Sequence, residues 1–229
     1  HRQLESQRRN LIDWAQDMLS LASVEAWGRA VRVRRTARAL AEHLGLGEVL
    51  SIEAAAVIWS TGDVLGKACS PPLVLQALKG LAGTSERMLG VHAMLDELAG
   101  PAGTPLRVAT RVVQVARLMD EDAPGAWRER VDDLERTGRL DARIAESLRD
   151  LEPRLALGSG RVMPLAELAT GMRFTAPLMA KDGSLLVPRG VPVNPLLLAR
   201  LSGAQVEGLP TIAFDVESTP TPLPFPVSA

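Results

Sequence analysis

The chain has 229 residues, 46% of them hydrophobic and 23% charged, a balance that excludes wholesale disorder and suits one large domain or two modest ones. A net charge of −1 excludes a chain-wide attraction to nucleic acid or to an anionic membrane, and one cysteine, Cys69, excludes an internal disulfide or a cysteine-rich zinc site. No run approaches a membrane-spanning length, and the first ten residues are too polar for a secretory signal, so the expected setting is the cytoplasm.

Helical spacing dominates the first two-thirds. Leu4, Leu11, Trp14, Met18 and Leu21 recur at three- and four-residue steps and form one apolar stripe. A second helix is expected from Val24 to Leu44, stopped by Gly45, and a buried one from Ser51, as its cap, through Trp59 to a stop at Gly62. Pro71-Pro72 opens a helix through Ala77, and Thr84 or Ser85 opens one to Leu98. Beyond the loop 100–105, helices are expected over Leu106–Met119 and Pro124–Thr137, with Asp141 capping a last one to Leu151.

Near Gly158 the pattern changes to short apolar runs between turn residues. Leu178–Val187 reads as a hairpin around Asp182-Gly183, Asn194-Pro195 as the start of a helix over 196–201, and Thr211–Val216 as a strand. Leu178, Leu185, Val187, Leu197 and Leu201 are the expected core of this part, and the Pro-rich residues 218–229 are a tail.

Chemical motifs are sparse. His1, His43 and His92 are scattered without metal-ligand spacing, and no nucleophile elbow occurs. LGSGR (157–161) reads as a linker, because it lacks the lysine and hydroxyl that end a phosphate loop. Asp63 and Lys67 read as a solvated helix end. The richest feature is WGRAVRVRRTAR, in which Arg29, Arg32, Arg34, Arg35 and Arg38 crowd one helix. Such a face suits phosphates or an acidic partner, but Glu25 and Glu42 stand within one turn of it, and no Phe or Tyr interleaves to stack bases. Residues 1–40 carry a surplus of four positive charges and residues 118–152 a surplus of five negative ones, which predicts attraction between these segments, within the fold or between copies.

Several of these segments resemble the HD-GYP family of bacterial response-regulator output domains. RAVRV (29–33) with LAEHLGL (40–46), and then AAVIWSTGD (55–63), match that family's first two signatures in framework residues. In this alignment Arg29 stands at a metal-histidine position, Trp59 and Ser60 replace the His-Asp pair, Glu86 replaces the next histidine, and Arg117 an aspartate. The segment carrying the family's His-His pair and Gly-Tyr-Pro loop is gone. The resemblance covers about residues 24–150, and 162–216 look like the small module that often trails such domains.

The resemblance implies a mainly α fold: an HD-like helical bundle followed by a small α+β module. The expected divisions are a connector helix (1–23), a degenerate HD-GYP-like domain (24–155), the α+β module (161–217) and the tail. It further implies a non-catalytic signalling output with no metal and no cofactor. The expected partners are a signalling protein, a receiver domain outside this chain and a second copy in a homodimer. Neither a membrane nor nucleic acid is expected. The competing readings are an effector that binds cyclic di-GMP or another nucleotide, with Arg32, Arg34, Arg35 and Arg38 as anion ligands, and a cyclic di-GMP phosphodiesterase with unusual metal ligands.

Overall fold

The computed structural model describes residues 12, 13, 16, 19–21, 23–62, 86–101, 105–120, 127–155 and 160–214, without the side chains of 61, 62, 86–88 and 214. Expectations placed on Cys69, on Asp63 and Lys67, on the 71–77 helix, on residues 215–216 and on the 218–229 tail lie outside the described residues. The chain divides into two compact units, His1–Ala156 and Leu157–Ala229. The first is a mainly helical bundle, the second a small mixed α+β module.

In the bundle, α1 spans Val24–His43. Ser23 starts it with extended backbone and a side chain that accepts a hydrogen bond from the Ala26 amide at 3.2 Å. Its end is set by Gly45, whose φ of +69° lets the Leu46 amide reach back to the Ala41 carbonyl at 2.9 Å. Helix α2 spans Val49–Gly62 and begins two residues before the expected cap. Ser51 is instead buried in its first turn, because the Glu48 carbonyl already accepts from the Ser51 and Ile52 amides.

Helix α3 spans Glu86–Ala99 and α4 Val108–Leu118. Arg107, at the N-cap of α4, offers no side-chain cap, and Glu97 of α3 supplies one. Its carboxylate accepts from the Arg107 amide at 3.2 Å, the Arg107 Nε at 2.5 Å and the Thr110 hydroxyl at 2.5 Å. Burial opposes the charge on Glu97, but the hydrogen bonds from Thr110 and Arg107 outweigh it and hold this carboxyl below the usual glutamate value.

Helix α5 spans Trp127–Arg136 and α6 Ala142–Leu155, the latter capped by Asp141, which accepts from the Ile144 amide at 3.0 Å. Helix α6 runs past the expected end at Leu151 and carries Pro153 inside it. The Arg35 guanidinium of α1 donates to the carbonyls of Arg154 and Leu155, satisfying acceptors that a helix end leaves orphaned. Leu40, Ile52, Met94, Val112, Leu134 and Leu148, one from each helix, are fully buried in a single cluster. Each such side chain contributes about 1.5–3 kcal/mol of burial.

The second unit holds two three-stranded antiparallel sheets. In one, β6 (Thr211–Phe214) lies between β1 (Arg161–Val162) and β2 (Met172–Phe174), with Arg161 opposite Ile212 and Arg173 opposite Ala213. In the other, β3 (Leu178–Ala180) lies between β4 (Leu185–Val187) and β5 (Val206–Glu207). The hairpin forms around Asp182-Gly183 as expected, with Gly183 at φ +82° and Asp182 accepting from the Ser184 amide at 2.9 Å. Helix α7 (Pro195–Leu201) is capped by Asn194, whose side chain accepts from the Leu197 amide at 2.8 Å. Of the five expected core residues, Leu178, Val187, Leu197 and Leu201 are buried, and Leu185 is half-buried. The glycine that ends the LGSG run has a packing role. A Cβ on Gly160 would lie 2.1 Å from the Thr175 hydroxyl oxygen and 2.9 Å from a Thr211 methyl.

Candidate functional site

The positions that the resemblance marks as metal ligands fall on α1, α2 and α4, three helices that pack against one another, and, for Glu86, on α3. Alanines on one buried face of α1 (Ala26, Ala30, Ala37) are small enough to allow a close approach. Arg29 and Arg32 lie one turn apart on α1. Both point to Asp120, just beyond the end of α4, whose side chain is only 5% exposed. Arg32 grips that carboxylate with two bonds, Nε to Oδ1 at 2.5 Å and Nη2 to Oδ2 at 3.2 Å. Arg29 approaches Oδ2 at 3.7 Å. A fork of this kind is the strongest geometry available to an arginine–carboxylate pair.

One turn back on α4, the Arg117 guanidinium lies over the indole of Trp59, 5.7 Å from its ring centroid. This is a cation–π contact. Trp59 is half-buried rather than mostly buried, because the residue stacked on it is itself a half-exposed cation. Ser60 is fully buried, and its hydroxyl donates to the Ala56 carbonyl of its own helix at 2.7 Å. Glu86 opens α3, with its side chain outside the described residues. The arrangement thus holds two guanidinium groups and an indole where a metal centre needs neutral nitrogens and carboxylates. Among the described residues no three His, Cys, Asp or Glu side chains gather into a possible cation site.

The remaining arginines of α1 also turn to groups of the same unit. Arg34 Nη1 donates to Asp13 Oδ1 at 2.5 Å, and its Nε lies 3.8 Å from the buried Glu53 of α2. Arg38 Nε donates to Glu42 Oε1 at 2.8 Å and lies 3.6 Å from Glu53. Arg35 holds the end of α6. The expected attraction between the basic first segment and the acidic 118–152 stretch is realised within the chain by the pairing of Arg29 and Arg32 with Asp120. His92 pairs with Asp96 one turn on, at 2.7 Å, and His43 lies 3.8 Å from Asp150.

Asp120 and Glu53 are the site residues that reading the sequence missed. Glu53 had a visible signal as the one charge in the apolar run SIEAAAVIW. Asp120 was hidden among three consecutive acids. Comparison of the chain with protein-family models, with curated proteins and with solved structures finds no match to any of them.

Proposed function

We propose that this chain is a non-catalytic signalling output module, a degenerate relative of the HD-GYP domains that acts in the cytoplasm through protein partners. The observation that carries this reading is the chemistry at the junction of α1, α2 and α4. Hydrolysis by metal-activated water needs ligands that tolerate a divalent cation. Arg29 and Arg117 stand at two of the aligned ligand positions, the first drawn to Asp120 and the second laid on Trp59. Two cations at that place repel a metal.

The partners proposed with this reading are a receiver domain outside this chain, a signalling protein and a second copy of the chain. Among the described residues of the first helix, Gln16 and Ser20 are buried and Leu21 is 71% exposed. Leu21, the described member of the expected stripe, is open to solvent, which suits a surface for pairing between copies. Leu4, Leu11, Trp14 and Met18 of the stripe lie outside the described residues. No helix among the described residues is long and apolar enough to cross a membrane.

The test is metal analysis of protein purified after growth with added manganese and iron, together with a cyclic di-GMP hydrolysis assay. Substoichiometric metal and no turnover are expected. Tightly bound metal with turnover overturns the reading.

A further inference from the structure

The β3–β4 hairpin of the second unit carries a reactive dipeptide that its folded geometry restrains. Asp182 is the one Asp or Asn of the chain that is followed by glycine. Glycine has no Cβ to shield its nitrogen, so the Gly183 amide can approach the Asp182 side chain. When the Gly183 nitrogen bonds to Asp182 Cγ, its proton leaves with the carboxyl hydroxyl as water, and a five-membered imide forms. Water then reopens the ring. Opening at the former main-chain carbonyl leaves the chain running through Cγ, an isoaspartyl link of unchanged mass. Asp182, Gly183 and Ser184 are all exposed, so water reaches both steps.

The attack needs a neutral carboxyl that can rotate towards the amide, and an amide free of other bonds. The folded turn opposes both. Asp182 Oδ1 accepts from the Ser184 hydroxyl at 2.6 Å and from the Ser184 amide at 2.9 Å. These bonds, the hydroxyl's foremost, restrain the carboxyl and hold it below the usual aspartate value, so the unreactive carboxylate predominates. The Gly183 amide is itself committed, donating to the Ala180 carbonyl at 2.9 Å. An isoaspartyl link adds one carbon to the main chain between Ala180 and Ser184, where the Ala180 amide donates to the Ser184 carbonyl at 2.8 Å. That carbon falls inside the closure of the hairpin, next to the pairing of Met179 with Leu185.

We propose that Asp182-Gly183 is the site at which this chain forms isoaspartate, and that Ser184 is the residue that restrains the reaction while the hairpin is folded. The assignment does not depend on which partner the chain serves.

Timed incubation of the intact chain in mildly acidic buffer tests it, with isoaspartate located by electron-transfer fragmentation and by resistance to a protease that cuts before aspartate. The guanidinium-denatured chain is expected to react at Asp182 more than about tenfold faster than the folded chain, the scale of the hydrogen bonds it has lost. Folded Ser184→Ala is expected to react about threefold to tenfold faster than wild type, the scale of one hydrogen bond, with an unchanged thermal midpoint. Folded Ser184→Thr keeps the hydroxyl and is expected to match wild type. Isoaspartate arising first at another residue of the denatured chain overturns the site. A folded chain that reacts as fast as the denatured one, a Ser184→Ala rate equal to wild type, or equal acceleration by both variants overturns the restraint.

Discussion

At the scale of single residues, the bundle neutralises charge at short range where helices meet. Asp120 illustrates what that neutralisation is worth. Its carboxylate is nearly buried and carries the attraction of two arginines, of which Arg29 is 39% and Arg32 24% exposed. Asp120→Ala removes the acceptor and leaves both cations facing the α1–α4 seam. A fully buried broken pair costs about 3–5 kcal/mol. Partial hydration of both arginines reduces this to about 2 kcal/mol, to be read from the urea midpoint. An unchanged midpoint shows that solvent replaces the fork without loss.

Glu97 gives a pH signature. Its carboxyl sits below the usual glutamate value, so its contribution is present above that value and disappears as pH falls through the lowered one. Wild type and Glu97→Gln are therefore expected to differ in urea midpoint at neutral pH and to converge in acid. A difference that does not depend on pH rules out the carboxylate as the cause.

At the scale of elements, caps and close approaches explain where helices and strands begin and end. Ser23, Asp141 and Asn194 each accept from an amide three residues on, and all three precede helices in the chain as capping residues ordinarily do. Replacing Ser23 by alanine is expected to lower stability by about 1 kcal/mol. Gly160 is a different kind of constraint. Alanine there drives a methyl into Thr175 and Thr211, and overpacking of this kind costs about 1–3 kcal/mol. The expected readout of Gly160→Ala is faster amide exchange in β1, β2 and β6 with α1–α6 unaffected. Equal loosening of the bundle contradicts the division into two units. The run around Gly160 looks like a loop in sequence because glycine also marks turns. Only the register of Arg161 opposite Ile212 reveals that it leads directly into β1 beside β6.

At the scale of the whole molecule, the chain carries its apolar surplus into two separate cores. One is the six-helix cluster among the described residues, and the other is built from residues such as Phe174, Val187 and Leu197. The pairing surface proposed on the first helix belongs to this scale too. Sedimentation of the wild type is expected to show a dimer, and Trp14→Glu, which places a charge in the stripe, is expected to shift it to monomer with the helical content kept. A wild type that stays monomeric at high concentration rejects the pairing, and leaves the reading of the α1–α2–α4 junction intact.

The sequence alone determined the helical bundle, the change to short strands near residue 158, the Asp182-Gly183 hairpin and the Asn194 cap. Each is a local property: apolar spacing matches one period or the other, and a capping or turn residue acts on amides within a few positions. The sequence also displayed the arginines of α1, yet their use was not legible in it. A guanidinium on a helix face serves a ligand, a neighbouring carboxylate or a helix end equally well, and the choice depends on what the fold brings beside it. Tertiary structure brought Asp120 to Arg32 across 88 positions, the end of α6 to Arg35 across about 120, and the ring of Trp59 under Arg117. Those meetings follow from the packing of α1 against α2, α4 and α6, a long-range consequence of core geometry that no local pattern records.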